Sequence, residues 1–161
     1  MDEGQPLTQA TKLWREGYRC QTAGQLDRAM KLYQESIALY PTAEAHTFLG
    51  WARSFQGRLE EATQECLRAI EIDAEFGNPY NDLGVYLMQQ DKLDESISWL
   101  ERAKLARRYE PRQFPFMNLG RIYLRQGRWW EALREFEGAV RLAPRDVRAA
   151  KILHHLRGRL N

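Results

Sequence analysis

A glycine recurs along this chain at nearly constant intervals, and this recurrence restricts the possible fold more than any other feature of the sequence. The intervals are 33, 34 and 36 residues for the series Gly17, Gly50, Gly84 and Gly120. Around each glycine the apolar residues follow the spacing of one face of an α-helix. A period of this length predicts a chain built from repeated helical units.

Two further columns of small residues keep the same register, which supports the repeat independently. The first of these columns is Ala29, Ala62, Ser96 and Ala132, and the later one is Ser36, Ala69, Ala103 and Ala139. Residues suited to a tight turn separate the two helical segments of each unit, at Gly24, Gly57, Asp91 and Gly127. Each unit is therefore predicted to be two short helices joined by a tight turn.

The unit at residues 116–144 carries the pattern most completely. Its marked positions are Leu119, Gly120, Tyr123, Gly127, Ala132, Phe136, Ala139 and Pro144. These residues match the signature of the tetratricopeptide repeat (TPR) family, which the chain resembles over about residues 8–144. The resemblance implies an all-α, right-handed TPR α-solenoid with four helix-turn-helix units at 8–42, 43–76, 77–112 and 113–144. A C-terminal capping helix is expected at 145–160.

The repeat is interrupted in two places. In the second unit, Arg53 and Cys66 occupy the columns that carry the aromatic Tyr123 and Phe136 in the fourth unit; the third unit has Leu87 and Leu100 there. Before the fourth unit the spacing lengthens by two residues, in a segment where Pro111 and Pro115 limit helix formation. We therefore expect the second helix of unit three to run on by up to one turn, and this joint to be the least regular one.

The segment after Pro144 has the pattern of a helix that covers the exposed apolar end of a solenoid. Asp146 stands near its start, where the helix dipole favours a negative charge. The expected apolar face is Val147, Ala150, Leu153 and Leu156 or Leu160.

No arrangement of residues in the sequence indicates catalysis, a metal or a cofactor. The adjacent His154 and His155 diverge by about 100° on a helix and cannot share a metal ion. His46 lies in an apolar column, and Cys20 and Cys66 are 46 residues apart, which excludes a CxxC pair. Phosphate-binding glycine motifs are absent from the sequence. We predict a protein without enzymatic activity, cofactor or small-molecule substrate.

Composition favours a soluble, cytoplasmic protein without a membrane segment. Apolar residues make up 43% of the chain and charged residues 29%, as in globular proteins. No run of about 18 apolar residues occurs. The first ten residues, MDEGQPLTQA, are acidic and polar, where a secretory signal would be basic and then apolar.

A concave groove lined by the first helix of each unit is the expected binding site, because stacked helix pairs of this kind curve. Side-chain amides can bind a peptide backbone, aromatic and methionine side chains adapt to its side chains, and arginine can bind a carboxylate. Alternatively, the aromatic residues only pack between neighbouring first helices. The resemblance implies that the groove presents Trp14, Tyr18, Thr47, Trp51, Phe55, Asn78, Asn81, Met88, Met117, Asn118, Arg121 and Arg125, and the same rows contain Glu44, Val85 and Phe114.

The leading hypothesis is thus an interaction module or scaffold that binds a peptide or protein segment. The clamp of basic residues with which some TPR domains hold a carboxylate is absent, because its positions carry no lysine or arginine here. Residues 81–161 have a net charge of +6, against −4 for residues 1–80, so RNA or polyanion binding is an alternative, although the arginines spread over several helices. Self-assembly is a further alternative, because Trp130 stands where other units have Asp27, Glu60 and Asp94. Trp130 could instead stack on Arg134 or lean into the capping helix.

Overall fold

The computed structural model describes residues 4–160, and the regular elements in this range are α-helices apart from one isolated bridge between Phe76 and Arg108. This confirms the predicted all-α class. The helices are α1 (Gly4–Thr22), α2 (Leu26–Leu39), α3 (Ala43–Phe55), α4 (Leu59–Ile72), α5 (Asn78–Gln89), α6 (Leu93–Leu105), α7 (Gln113–Arg125), α8 (Trp129–Leu142) and α9 (Val147–Leu160).

Consecutive helices form four packed pairs, and α9 packs against the last of them. α1 pairs with α2, α3 with α4, α5 with α6, and α7 with α8. The first helices of neighbouring pairs also contact one another, whereas the second helices make no contact of comparable extent within residues 4–160. The stack therefore curves toward its first helices, which line the concave side, and the predicted solenoid of four units with a cap is confirmed.

Small residues allow the two helices of a pair to approach closely. At Gly120, a Cβ atom would lie 2.6 Å from Cε2 of Phe136, so the ring occupies the space that any larger residue would need. The turns also follow the prediction. Their left-handed residues are Gly24, Gly57 and Gly127, with φ of 78°, 73° and 70°, and Asp91, with φ of 61°.

The joint between units three and four differs from the prediction. α6 ends at Leu105, so the expected overrun of this helix is wrong. Residues 106–112 instead form the longest connection between helices in the described chain. The N–H of Arg108 donates to the carbonyl of Glu75 at 2.9 Å, and the N–H of Gly77 donates to the carbonyl of Arg108 at 3.0 Å. These bonds hold the connection in an extended path against the α4–α5 connection, which a longer helix could not follow.

α9 covers the apolar end of the stack as predicted, although with a slightly different face. Val147 is 60% exposed, so its place on the predicted apolar face is wrong; Ala149, in the same turn of α9, is fully buried instead. Oδ1 of Asp146 accepts a hydrogen bond from the N–H of Arg148 at 3.0 Å and so caps the helix. The residues of α9 in the core are Ala149, Leu153 and Leu156, with Ile152 partly buried beside them.

Unit two contains a buried ionic cluster, formed by His46, Arg53 and Glu65. Arg53 stands where unit four has the aromatic Tyr123. Nδ1 of His46 lies 2.5 Å from Oε2 of Glu65, and Nη1 of Arg53 lies 2.9 Å from Oε1. Burial opposes the charge on Glu65. The hydrogen bond with His46 and the charges of His46, Arg53 and Arg68 outweigh burial, and the pKa of Glu65 lies below its ordinary value. The ion pair with Glu65 explains how a charged side chain, Arg53, fits at a position that the repeat pattern reserves for a core residue.

Candidate functional site

An aromatic surface, formed by five rings of α1 and α3, occupies the concave side of the first two units. The ring centroids of Trp14 and Phe48 are 5.5 Å apart, those of Tyr18 and Phe48 are 5.2 Å apart, and those of Trp51 and Phe55 are 5.4 Å apart. Tyr18 is 43% exposed and Phe55 is 64% exposed. The rings thus pack between neighbouring first helices and also present apolar area to the solvent.

The aromatic surface leads into an open cavity of ≈ 620 Å³, here called the central cavity. First helices of all four units and the connection between α6 and α7 line it. Its aromatic wall is Trp14, Tyr18, Phe48, Trp51, Tyr109 and Phe114. Its polar wall includes Thr47, Asn78, Asn81, Asp82 and Glu110.

The α6–α7 connection forms one wall of the central cavity because its middle is anchored. Tyr109 is buried and lies so close to Gly77 that a Cβ atom there would be 2.5 Å from Cβ of Tyr109. This contact requires glycine at position 77. The next residues, Glu110 and Pro111, reach the cavity edge, and the peptide bond between them is cis.

A second anchor of the connection is the guanidinium group of Arg108. Its Nη2 lies 2.6 Å from Oδ2 of Asp73, and its Nη1 lies 2.8 Å from Oε1 of Glu44. The guanidinium carbon also lies 4.3 Å from the ring centroid of Phe76. Arg108 therefore ties the connection to both α3 and the end of α4.

A polar row of four side chains runs from the central cavity toward the C-terminal end of the groove. Nδ2 of Asn81 donates to Oδ1 of Asp82 at 3.5 Å, and Nδ2 of Asn118 donates to Oδ1 of Asn81 at 3.0 Å. Nη1 of Arg121 donates to Oδ1 of Asn118 at 3.1 Å. These bonds connect α5 with α7 and leave the guanidinium group of Arg121 exposed at the end of the row.

Asp82 lines the central cavity, and its pKa lies well above its ordinary value. Burial disfavours its charged form, and the hydrogen bond from Asn81 offsets this only in part, which raises the pKa of Asp82 to about 7. Among residues 4–160, no lysine, arginine or histidine forms an ion pair with it. A carboxyl group without a cationic partner therefore lies among aromatic rings.

Sequence profiles of the tetratricopeptide repeat match most of the chain. One profile matches residues 16–75 and 117–153, and another matches residues 80–108. The chain belongs to the tetratricopeptide repeat family. This confirms the resemblance seen in the fourth unit.

Proteins similar to this TPR chain include an import receptor and a peptide complex. The mitochondrial import receptor subunit TOM70 of Rattus norvegicus is 24% identical over 152 residues, which cover 91% of this chain. The chain spans about a quarter of the length of the curated relatives it matches, 24% for this one.

Two solved structures show the likeness in three dimensions. The structure of Pseudomonas aeruginosa pilF is 22% identical with a TM-score of 0.85, covering 92% of this chain and 68% of that chain. The second TPR of Spaghetti (RPAP3), bound to the HSP90 peptide SRMEEVD, is 23% identical with a TM-score of 0.60. The match covers 66% of this chain and 99% of that chain. At these identities the likeness shows the TPR fold alone.

Most of the TPR groove residues expected from the sequence lie on the concave side, but not all of them are accessible. Met117 is 1% exposed and belongs to the core cluster that α9 completes, so it presents no surface to a ligand. Thr47 is also buried, and its hydroxyl donates to the carbonyl of Ala43 at 2.7 Å. The aromatic surface, the central cavity or the polar row contains Trp14, Tyr18, Thr47, Trp51, Phe55, Asn78, Asn81, Asn118 and Arg121.

The remaining expected residues, Met88 and Arg125, lie at the C-terminal end of the groove. Nη2 of Arg125 is 2.7 Å from Oδ1 of Asp91, and its Nη1 donates to the carbonyl of Met88 at 3.2 Å. Arg125 therefore fastens α7 to the end of α5 and is less available to a ligand than Arg121.

Several residues of the central cavity were not expected from the TPR pattern. Tyr109, Glu110 and Pro111 lie in the lengthened joint, where the repeat assigns no position. The two-residue lengthening of the repeat before unit four was the feature of the sequence that marked this joint as irregular. Phe48 and Asp82 are not in the expected groove rows, but the TPR pattern places both at positions of the carboxylate clamp, where this chain has no lysine or arginine.

On the convex side, Trp130 is 60% exposed. No ring or cation of residues 4–160 stacks on it, so the expected stacking on Arg134 is not seen. The neighbouring Trp129 approaches the cap instead, with the guanidinium carbon of Arg159 6.0 Å from its ring centroid. Trp130 thus presents exposed apolar area on the convex side.

Neither a membrane segment nor a metal site is found in the part of the chain that the structure describes. None of its helices combines the length and the hydropathy that crossing a bilayer requires. No three side chains from His, Cys, Asp and Glu stand together in a way that could hold a metal ion.

Proposed function

We propose that this chain is a non-catalytic interaction module that binds an extended segment of a protein partner along its concave groove. The observation that carries the proposal is the aromatic surface that opens into the central cavity. Exposed apolar area beside converging polar groups is characteristic of binding sites. A cytoplasmic location stays a prediction from the sequence.

The chemistry of the groove changes along its length in a way that suits a peptide. Rings of α1 and α3 can cover apolar side chains of the segment, and the partly exposed amide group of Asn78 can bind its backbone. Arg121 at the far end can bind an acidic side chain or a terminal carboxylate. A peptide lying across the first helices would meet these groups in turn.

The relatives support a protein partner without identifying it. One similar TPR structure holds an HSP90 peptide, and TOM70 is an import receptor subunit. The clamp residues that receive a chaperone carboxylate in some TPR domains are not present at the matching positions here. We therefore expect a segment recognised through its apolar side chains and backbone.

Selection from a random peptide library tests this proposal directly. We expect the chain to enrich peptides with apolar residues, and Phe55→Ala to weaken the best peptide about 30-fold or more, as for a hot-spot ring. Trp130→Ala is the matched control, because Trp130 is exposed to a similar degree on the convex side. Absence of enrichment, or equal loss in both variants, would contradict groove binding.

Polyanion binding is a second candidate, which the basic residues of the last two helices favour. Five exposed basic residues of α8, α9 and the connection between them pair with no carboxylate of residues 4–160: Arg134, Arg141, Arg145, Lys151 and Arg159. Titration with RNA at two salt concentrations tests it. Affinity that falls steeply with salt supports this function, and binding that is absent or insensitive to salt excludes it.

Trp130 also makes self-assembly a candidate property of the module. A large apolar side chain that no neighbour covers can serve as a contact for a second copy. Light scattering over a range of concentrations measures this. A mass that rises with concentration, and does so less for Trp130→Ala, supports self-assembly, whereas a constant monomer mass excludes it.

A further inference from the structure

We infer that the central cavity receives a cationic side chain, lysine or arginine, from the segment bound in the groove. The inference rests on the proposed function and adds the chemical class of residue that the partner presents.

Two carboxyl groups face the central cavity without a strong cationic partner. The side-chain hydrogen bond of Asp82 within residues 4–160 comes from the neutral amide of Asn81, at 3.5 Å. Glu110 is highly exposed, and Nε of Arg112 lies 3.9 Å from its Oε1. The cavity therefore has negative charge available to an incoming cation.

The aromatic wall offers a second attraction, because a cation is stabilised over the face of a ring within about 6 Å of its centroid. Rings elsewhere already have such a cation, as at Trp99, where the guanidinium carbon of Arg102 lies 4.4 Å from the centroid. Two cavity rings have a more distant one: Arg15 lies 5.4 Å from Trp14, and Arg148 lies 5.8 Å from Phe114. In the described chain, four cavity rings have none: Tyr18, Phe48, Trp51 and Tyr109.

The adjacent connection has three basic residues, Arg107, Arg108 and Arg112, and none of them lines the cavity. Arg107 pairs with Glu75, and Nη2 of Arg112 donates to the carbonyl of Arg107. Asp73 and Glu44 hold the guanidinium group of Arg108. Asp82 and the four rings without an internal cation are complementary in charge to a basic side chain. An apolar side chain would leave Asp82 without a partner.

The ionisation of Asp82 supports the same occupant. Its pKa of about 7 means that much of it is protonated when the cavity is empty near neutral pH. A bound cation favours the carboxylate and releases a proton, so binding strengthens as pH rises toward about 7 and levels off above it. Burial raises the pKa values of Cys66, Tyr86 and Tyr109, which stay neutral there. The titratable or charged groups that face Asp82, line its cavity or belong to its polar row are Tyr18, Cys66, Tyr86, Tyr109, Glu110 and Arg121.

Selection from the random peptide library at about pH 8 gives the first test, because Asp82 is then ionised when a cation is bound. We expect lysine or arginine to be enriched at one position for the natural chain and for Trp130→Ala. We expect this preference, but not the apolar preferences, to disappear for Asp82→Asn. Glu110→Gln, at an exposed position, should weaken the preference without risk to the fold.

A synthetic pair gives the second test, comparing the selected peptide with the same peptide carrying norleucine in place of the basic residue. We expect norleucine to weaken binding about tenfold for the natural chain and less than about threefold for Asp82→Asn. Enrichment without a basic residue, or equal affinity of the two peptides, overturns this inference and leaves groove binding intact. Failure to enrich any peptide overturns both.

Discussion

The ring of Phe136 fills the space directly above Gly120, where its Cε2 lies 2.6 Å from the position a Cβ atom would take. The ring is fully buried and packs where α7 and α8 meet. We expect Phe136→Ala to lower the free energy of unfolding by about 3–5 kcal/mol, because the helices cannot close the gap completely. Urea unfolding followed by circular dichroism measures the change.

The same contact predicts that mutations at its two residues are strongly coupled. Gly120→Ala alone should cost about 1–3 kcal/mol, because the methyl group collides with the ring. In the Phe136→Ala background the collision is gone and alanine favours the helix, so Gly120→Ala should be neutral or stabilising there. A double-mutant cycle measures the coupling. Additive costs would show that the two residues do not compete for this space.

The ionic cluster of unit two predicts a loss of stability in acid. The pKa of Glu65 is lower in the folded chain than in the unfolded chain, so its contribution is present above its ordinary pKa of about 4.3 and is lost as pH falls further. At neutral pH, Glu65→Gln should cost about 3 kcal/mol, because Arg53 and His46 lose a buried charged partner.

Comparison across pH isolates the effect of Glu65 from that of other carboxylates. The pKa values of Asp73 and Asp146 are also lowered by arginine partners, but both variants share these groups. The difference in stability between the natural chain and Glu65→Gln should therefore be constant above about pH 5 and shrink as pH falls below about 4.3. A difference that does not change with pH would mean that Glu65 contributes through shape rather than charge.

The columns of the repeat could be predicted because they reflect local packing. A small residue at the Gly120 position is needed wherever two helices of a pair cross, so it recurs in every unit and is visible in one sequence. A large residue faces it in three of the four units: Tyr33, Leu100 and Phe136. The same holds for the turn residues, since a left-handed conformation restricts the residue type at a single position.

The central cavity could not be predicted in full, because its distinctive parts lie outside the repeat. Tyr109 and Glu110 are positioned by the packing of Tyr109 on Gly77 and by the backbone bonds of Arg108, contacts between segments about 30 residues apart. Pro111 and Pro115 predicted an irregular joint, but they did not predict the path that the chain takes through it. Met117 shows the opposite limit, because α9 buries a position that the pattern assigned to the groove.

Arg108 should influence the groove more than the stability of the fold. Its ion pairs with Asp73 and Glu44 are partly exposed, and such pairs contribute about 0–1 kcal/mol. We expect Arg108→Ala to leave the unfolding midpoint nearly unchanged. The backbone amides of residues 77 and 108 should exchange hydrogen with solvent faster in this variant. Arg107→Ala is the control, since its pair with Glu75 is more exposed. Equal exchange in both variants would mean that the guanidinium group does not anchor the connection.

Asp82 predicts a pH dependence of stability opposite in sign to that of Glu65. Its folded pKa of about 7 lies above the unfolded value of about 3.9, so between these values the folded chain binds more protons than the unfolded chain. Stability therefore falls as pH rises through this range and then levels off. Asp82→Asn removes the effect. Its stability relative to the natural chain should rise between about pH 4 and pH 7, and urea unfolding at several pH values measures this difference. A constant difference would show that Asp82 is ionised in the empty groove.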